Sequence, residues 1–331
     1  MQKKVEQLKD RCGRPVKYMR VSVTDRCNFR CRYCVPQHSF EPIPCEDVLR
    51  YEEILFIARA LAGQGIERVR VTGGEPLVRK NLPYLLEQLC KVDGIKEVTL
   101  TTNATLLQQQ AKKIIKTGVS RLNISLDSLN PERYKYVTGG FGIDNTMAGI
   151  RVAKKLGFSP IKINAVVIRG FNDDEITDFC EFAATNDFVV RFIEFMPIGN
   201  STDWKKDNIV TGEEIVDIIR RRYEVTSLPK MPCTGPAKNF KLSNGAEIGV
   251  ITPMSNHFCD TCDKIRLTSD GKLRPCLLSD KEVSVADAVN TKDEELLIRR
   301  VKESLELKNI EHSIGTDSKD RFHRTMSKIG G

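Results

Sequence analysis

The sequence contains no stretch of eighteen consecutive apolar residues, so no membrane-spanning helix is expected. Its first ten residues, MQKKVEQLKD, lack the apolar segment of a secretory signal, which points to the cytoplasm. No block of five or more consecutive Lys or Arg occurs, which argues against a dedicated nucleic-acid arm. The formal net charge of +8 still suits polyanionic ligands such as nucleotides. Low-complexity tracts are absent, and so is any repeat beyond a strand–helix alternation. The eleven cysteines are an odd number, which in a reducing compartment argues against a disulfide framework. Metal binding, catalysis and burial remain as roles for the thiols.

Six of those thiols fall in two tight groups. Cys27, Cys31 and Cys34 form C-x3-C-x2-C, and Cys259, Cys262 and Cys276 form C-x2-C-x13-C. His38 is the one histidine near the first group, and His257 could complete a Cys3His zinc site in the second. The other reading of each group is a [4Fe–4S] cluster held by three thiolates. One iron then has no protein ligand and can take an oxygen or nitrogen donor from outside. Cys12, Cys45, Cys90, Cys180 and Cys233 are scattered and read as inert thiols. Cys90 and Cys180 lie on apolar helical patterns and belong with the core.

From about residue 18 to 225, short β-rich runs alternate with longer amphipathic stretches. YMRVSVT, ERVRVTGG, KEVTLTTN, RLNISLD, PIKINAVVI and FVVRFIEF read as six strands. Helical patterns follow, as in YEEILFIARALAGQG and LLQQQAKKIIKTG. Recurrent βα units imply a parallel sheet with helices outside it. Six units in roughly 200 residues predict an α/β fold with a partial (β/α)6 TIM-like barrel rather than the full eight-stranded form. A doubly wound open sheet is the competing arrangement. Either one places functional residues at the C-terminal ends of the strands. After about 226 the pattern changes to a proline-rich connection and two hairpins, turning at Asn244-Gly245 and Asp270-Gly271. A helix near 293–307 and a polar tail ending in Gly330-Gly331 complete the chain. The expected division is therefore a barrel domain over 1–225 and a C-terminal extension over 226–331.

Several cations occupy positions that otherwise favour burial. Arg20, Arg70 and Lys162 sit inside β-runs, where a charge is costly unless it is paired or faces a cavity. Asp127 or Glu194 could supply salt-bridge partners; the other reading makes these cations the lining of the barrel, with Arg191 a further inward candidate. Lys264 and Arg266 alternate on one strand face and Arg274 stands two residues before Cys276. Beside an open metal site such cations form a natural clamp for a polyphosphate.

The first cysteine motif, the aromatic Tyr33 before its last cysteine, and GGEP at 73–76 together resemble the radical S-adenosylmethionine enzymes. The resemblance implies that the open iron binds the amino and carboxylate groups of S-adenosylmethionine, that the GGEP backbone meets the same end of the cofactor, and that reduction releases a 5′-deoxyadenosyl radical. With the second three-cysteine group and the terminal glycines, the chain from Arg20 to Gly331 resembles more closely the GTP 3′,8-cyclase family of that superfamily. This implies two [4Fe–4S] clusters, Cys27, Cys31 and Cys34 holding the first and Cys259, Cys262 and Cys276 the second, whose open iron takes the guanine of GTP. Tyr33, Gly74, Ser125 and Met196 fall on positions that contact S-adenosylmethionine. Arg20, Arg70, Thr101, Lys162, Lys264 and Arg266 fall on positions that hold GTP, and Gly330 and Gly331 on a tail that enters the active site and supports catalysis. On pattern alone Ser125 reads as a helix cap and Met196 as core. Where the family has x-Arg-x-Arg after the second C-x2-C, this chain has Asp263-Lys264-Ile265-Arg266; Lys264 keeps the charge and loses the planar fork.

The implied reaction joins ribose C3′ to guanine C8, the first committed step of molybdenum cofactor biosynthesis. The implied partners are GTP, a reducing electron donor, a downstream cyclic pyranopterin monophosphate synthase and a second copy of the chain in a homodimer, with neither nucleic acid nor membrane. An alternative is a radical enzyme with an auxiliary cluster acting on a peptide or other small molecule. A metal-binding or electron-transfer module is another, and it would need neither GGEP nor a charged barrel interior.

Overall fold

The computed structural model describes residues 7–35, 40–197, 205–229, 235–310 and 324–330. Its strands alternate apolar residues with polar or cationic ones, and the polar set points inward. β1 (Tyr18–Ser22) shows the rule: Met19 and Val21 are fully buried against helices, while Tyr18 and Arg20 line an internal cavity. The chain continues through α1 (Tyr51–Ala62), β2 (Arg68–Thr72), α2 (Leu82–Cys90), β3 (Glu97–Thr102), α3 (Leu107–Ile114) and β4 (Leu122–Ser125). Two helices follow β4, α4 (Pro131–Val137) and α5 (Asp144–Lys155), before β5 (Ile161–Val167), α6 (Ile176–Asn186), β6 (Val189–Glu194) and α7 (Gly212–Arg220).

β1 to β6 pair in chain order, each parallel to the next. Their outward residues, such as Val69, Leu100, Ile124, Ile163 and Phe192, pack on the apolar stripes of the helices. The α1 stripe is Ile54, Leu55, Ile57, Ala58 and Leu61, and Phe179 on α6 meets Phe192 edge-on with ring centroids 6.2 Å apart. Cys180 is fully buried on α6 and Cys90 half-buried at the end of α2, whereas Cys12 and Cys45 are exposed and Cys233 lies outside the described residues.

The remaining strands are β7 (Val225–Ser227), β8 (Lys238–Leu242), β9 (Glu247–Ile251), β10 (Lys264–Leu267), β11 (Lys272–Arg274) and β12 (Val283–Ser284), followed by α8 (Ala286–Thr291) and α9 (Glu294–Glu306). Both expected hairpins are present, β8–β9 and β10–β11. Neither stands apart from the barrel. β9 pairs in parallel with the free edge of β6, and β10 in parallel with the free edge of β1. The result is one twelve-stranded sheet, in the order β12-β11-β10-β1-β2-β3-β4-β5-β6-β9-β8-β7. Eight consecutive strands in it are parallel, and the antiparallel pairs form its two ends. The expected boundary at 225/226 falls inside β7, and the sheet is continuous across it.

Two buried carboxylates, at the end of β6 and the start of α6, tie down the loops that build the site. Glu194 accepts backbone N–H groups from Gly212 (2.7 Å), Met254 (2.8 Å) and Ser255 (2.9 Å), joining β6, α7 and the loop after β9. Glu175 does the same for the loop after β4, accepting from Ser128 Oγ and from the N–H groups of Leu129 and Asn130. Gly149 on α5 lets that helix lie on the turn before α3: a Cβ there would meet the Ala104 carbonyl oxygen well inside van der Waals contact. Gly149→Ala therefore sets a helix-propensity gain of about 1 kcal/mol against overpacking on unyielding backbone, typically 1–3 kcal/mol or more. The expected outcome is a lower midpoint of unfolding in guanidinium; a higher midpoint would show that propensity dominates.

Candidate functional site

The first cysteine loop follows β1 and rests on the loop after β2. Gly74 N–H donates to the Thr24 carbonyl (2.6 Å) and Glu75 N–H to that of Arg26 (2.9 Å). A Cβ on Gly74 would collide with the backbone carbonyls of Arg26 and Asp25, so only glycine allows this approach. Glu75 then crosses to the third strand's loop, accepting from Thr102 Oγ1 (2.7 Å) and Asn103 N–H (2.7 Å). Burial pushes its carboxyl up to about 7, against those hydrogen bonds. GGEP is thus a mechanical bracket between the ends of β1, β2 and β3.

Above that bracket lies a cavity of about 360 Å³. Cys27, Cys31 and Cys34 open onto it, and so do Cys259, Cys262 and Cys276 from the opposite side. Tyr33, Gly74, Ser125 and Met196 line it, as do Arg20, Arg70, Thr101, Lys264 and Arg266. The structure therefore brings together in one space every expected site residue but three. Lys162 lies in a smaller adjoining pocket that shares Tyr18, Arg70 and Arg191 with the large one. Gly330 touches the site through its carbonyl, and Gly331 falls outside the described residues. His38 lies outside them too, while His257 is on the cavity wall beside Cys259.

Sheet register explains the charge of this space. Arg266, Arg20 and Arg70 are cross-strand partners on β10, β1 and β2, and Lys264, Tyr18 and Arg68 form the adjacent layer. Cations on adjacent strands repel; a pair held as close as the strand spacing of roughly 5 Å would do so by on the order of 3 kcal/mol at an effective dielectric near 20. Burial, then Arg266 and Arg70, hold Arg20 well below its ordinary range, and burial pushes Arg266 and Arg191 down to about 10. Among the described residues, the buried Thr101 hydroxyl and the side-chain carbonyl oxygens of Asn123 and Asn164 have no hydrogen-bond partner. The interior has unsatisfied polar atoms and an excess of positive charge.

The alternative salt bridges are not made. Asp127 accepts from Tyr33 Oη (2.7 Å) and Val166 N–H (2.9 Å), and burial pushes its carboxyl up to about 6. Glu194 serves the loop amides described above. Arg274 does not join the clamp, although it stands opposite Arg266 in register; it is buried with its guanidinium on Glu282 and the Ser279 carbonyl. Two residues escaped sequence reasoning. Tyr18 presents its ring to Arg68 (4.8 Å), Arg70 (5.5 Å) and Lys264 (5.7 Å), and Arg68 is paired with Asp263. An aromatic opening a strand gives no sign of this, and only the register reveals it.

The C-terminal tail reaches the same space. Arg324 is anchored to Asp270 (2.8 and 3.0 Å) and Glu282 (2.9 Å). Met326 and Ser327 line the cavity, and the Gly330 carbonyl accepts from Arg266 (3.1 Å) and Arg20 (3.2 Å). Gly330 has φ +71°, and a Cβ there would meet Thr72 Oγ1 at 2.9 Å and Ser22 Cβ at 3.1 Å.

The thiols fit iron–sulfur ligation. All six are free of disulfides and face one space. Burial pushes Cys27 up to about 11 and Cys34 up to about 12, and Cys31 well above its ordinary value, so three bare thiolates would not persist there without compensating metal charge. At Cys262 burial acts the same way, but Lys308 and Lys264 outweigh it and the thiol falls below its ordinary value. Backbone N–H groups of Phe29 and Leu278 point to the sulfurs of Cys27 (3.3 Å) and Cys276 (3.4 Å), as cluster thiolates require.

Comparison with known proteins agrees with this geometry. Residues 21–183 match the Radical SAM superfamily and residues 188–314 match Molybdenum Cofactor Synthesis C. The GTP 3′,8-cyclase of Alkaliphilus oremlandii is 42% identical over 326 residues, 98% of this chain and 100% of the relative. That of Moorella thermoacetica is 44% identical with the same coverage. Among solved structures, Streptococcus suis SuiB bound to S-adenosylmethionine shares the fold with a TM-score of 0.60 at 16% identity, over 87% of this chain and 68% of that one. The partial barrel is the one that radical S-adenosylmethionine folds share, and the chain belongs to the GTP 3′,8-cyclase family of the radical SAM superfamily.

Proposed function

We propose that the chain converts GTP to (8S)-3′,8-cyclo-7,8-dihydroguanosine 5′-triphosphate, the first step of molybdenum cofactor biosynthesis. The observation that carries this reading is the meeting of two three-thiol groups and an in-register arginine row in a single cavity. Membership of the family over nearly the full length does not favour a peptide-modifying enzyme.

In this reading Cys27, Cys31 and Cys34 hold the first [4Fe–4S] cluster, and Cys259, Cys262 and Cys276 the second. When bound, the clusters and S-adenosylmethionine would supply the radical chemistry that removes the ribose C3′ hydrogen and a ligand position for the guanine. The Gly74 backbone, Tyr33, Ser125 and Met196 surround S-adenosylmethionine. Asp127 fixes the Tyr33 ring through its hydroxyl. Arg20, Arg70, Lys264 and Arg266 take the triphosphate, whose charge relieves their mutual repulsion. Thr101 contributes its unpartnered hydroxyl, and Lys162 extends the cationic wall into the smaller pocket. Val166, Ile193 and Ile251 give the cavity an apolar wall that keeps water from a reactive carbon centre. Gly330, with Gly331 beyond it, brings a backbone carbonyl to Arg20 and Arg266 and orients them.

The family further implies a low-potential electron donor, a cyclic pyranopterin monophosphate synthase acting on the product, and a homodimer in the cytoplasm. No described helix is long and apolar enough to cross a membrane.

The anaerobic assay is direct: load the chain with iron and sulfide, add reductant and S-adenosylmethionine, and supply each nucleoside triphosphate in turn. GTP alone should give 5′-deoxyadenosine together with a cyclised nucleotide; cyclised product from another triphosphate and none from GTP would refute the reading. A second test uses pH. Burial, then Arg191, Arg121 and Arg70, push Lys162 down to about 7. Above that pH Lys162 is neutral in the free protein, and polyphosphate binding must recharge it. GTP binding should thus take up a proton and weaken as pH rises from about 7 to about 9, by roughly tenfold per unit at most. Calorimetry in buffers of different ionisation heat reads the proton, and Lys162→Met should abolish the uptake. A third test is Gly330→Val, expected to lower product formation by roughly tenfold or more, about 1.4 kcal/mol, with iron content unchanged; normal turnover would remove the tail from the mechanism.

A further inference from the structure

The loop that carries Cys259 and Cys262 is held from behind, by cations from two distant parts of the chain. Arg14 stands in the short N-terminal loop closed by the Lys9–Pro15 bridge. Its Nη1 donates to the Cys259 carbonyl at 2.7 Å and to that of Ile310 at 3.2 Å, and its Nη2 donates to the Asn309 carbonyl at 2.9 Å. Lys308 lies two residues beyond the end of α9 and is 3% exposed. Its Nζ donates to the carbonyls of Lys264 (2.9 Å) and Cys262 (3.1 Å). Both cations converge on Asp10, whose side chain is fully buried: Arg14 Nε at 2.7 Å and Lys308 Nζ at 3.5 Å. Asp10 also accepts the N–H groups of Cys12 and Arg14.

Two cations on one carboxylate leave an excess of one positive charge buried behind this loop. Such a charge is costly unless something nearby balances it. The field of Lys308 reaches both Cys262 and Cys276. Three thiolates around a dication core carry a net charge of about −1, the sign and size needed to balance it. The first thiol group has a different charge balance: the carboxylates of Glu75 and Asp127 lie near it, with Arg30 donating to the Cys27 carbonyl at 2.6 Å. Cluster potential follows local charge, so anions near one site and cations near the other separate the two.

We propose that Lys308, held by Asp10 and Arg14, is a positioning residue of the second site: it fixes the Cys259–Lys264 loop through its carbonyls and keeps the cluster there easier to reduce than the first. The inference rests on the reading that Cys259, Cys262 and Cys276 hold a cluster. The contacts run to main-chain carbonyls, so Lys308 acts through the loop and does not itself touch the substrate.

The test compares the full-length wild-type chain, Lys308→Met and Lys308→Arg, each loaded anaerobically. Iron and sulfide are counted, and both clusters are titrated electrochemically by electron paramagnetic resonance. The signal that S-adenosylmethionine perturbs reports the first cluster, and the signal that GTP perturbs reports the second. Wild type should hold about eight irons per chain and show the GTP-sensitive centre at the more positive potential. Lys308→Met should move that centre to a more negative potential, or empty it alone, while the S-adenosylmethionine-sensitive centre stays where it was. Lys308→Arg, which keeps the charge, should restore most of the shift. A fully loaded Lys308→Met with an unmoved GTP-sensitive potential overturns the proposal, and so does equal loss of both clusters. Zinc with about four irons in wild type would instead defeat the cluster reading itself, a separate result.

Discussion

A row of arginines inside a parallel barrel is unstable by itself. Arg266, Arg20 and Arg70 sit side by side because β10, β1 and β2 are in parallel register, and their guanidinium groups crowd one wall of the cavity. In an ordinary parallel sheet both faces are apolar. Here the outer face obeys that rule and the inner one inverts it, so the fold accepts a repulsion of several kcal/mol. Packing elsewhere must carry that load, and the apolar contacts between strands and helices do so. The repulsion then becomes binding energy for a polyanion, because a triphosphate entering the row relieves a strain already present. Part of it is relieved by the Gly330 carbonyl, which accepts from Arg20 and Arg266. On the proposed reading the tail and the substrate share two arginines, which couples the position of one to the arrival of the other.

Much of this was legible in the sequence, and the limits have physical causes. Period-two alternation marked all six barrel strands, and Asn244-Gly245 and Asp270-Gly271 marked both hairpins, because turn chemistry is local. The docking of β9 on β6 and of β10 on β1 was not legible. A hairpin pattern fixes its own pairing and says nothing about which distant edge will accept its outer strand. α4 and α5 were also missed as separate elements, since their helical stripes are short and are interrupted at Gly139-Gly140.

The candidate site divides the same way. The thiols and GGEP are covalently close and readable by spacing. Arg20 and Arg70 were flagged because a cation inside a β-run demands a reason. Arg274 was flagged for its place two residues before Cys276 and proved to be paired with Glu282, which lies eight residues away on the strand connection that follows. Arg14 and Lys308 left no trace, because they bind main-chain carbonyls 44 to 296 residues distant and carbonyls have no sequence signature; Asp10, which holds both cations, is equally silent. Tyr18 was hidden because a tyrosine opening a strand is common.

The central claim is that two incomplete thiolate sites share one cavity, one with its open iron toward S-adenosylmethionine and the other toward GTP. Mössbauer and nitrogen-coupled magnetic resonance spectra of the anaerobic protein test it most directly. Selectively enriched iron and isotopically labelled ligands allow each site to be read alone. The account predicts two [4Fe–4S] clusters, each with one iron distinct from the other three, one shifted on adding S-adenosylmethionine and the other coupled to nitrogen of labelled GTP. A second site whose irons are all equivalent, or which shows no coupling to labelled GTP while S-adenosylmethionine still shifts the first, would contradict it.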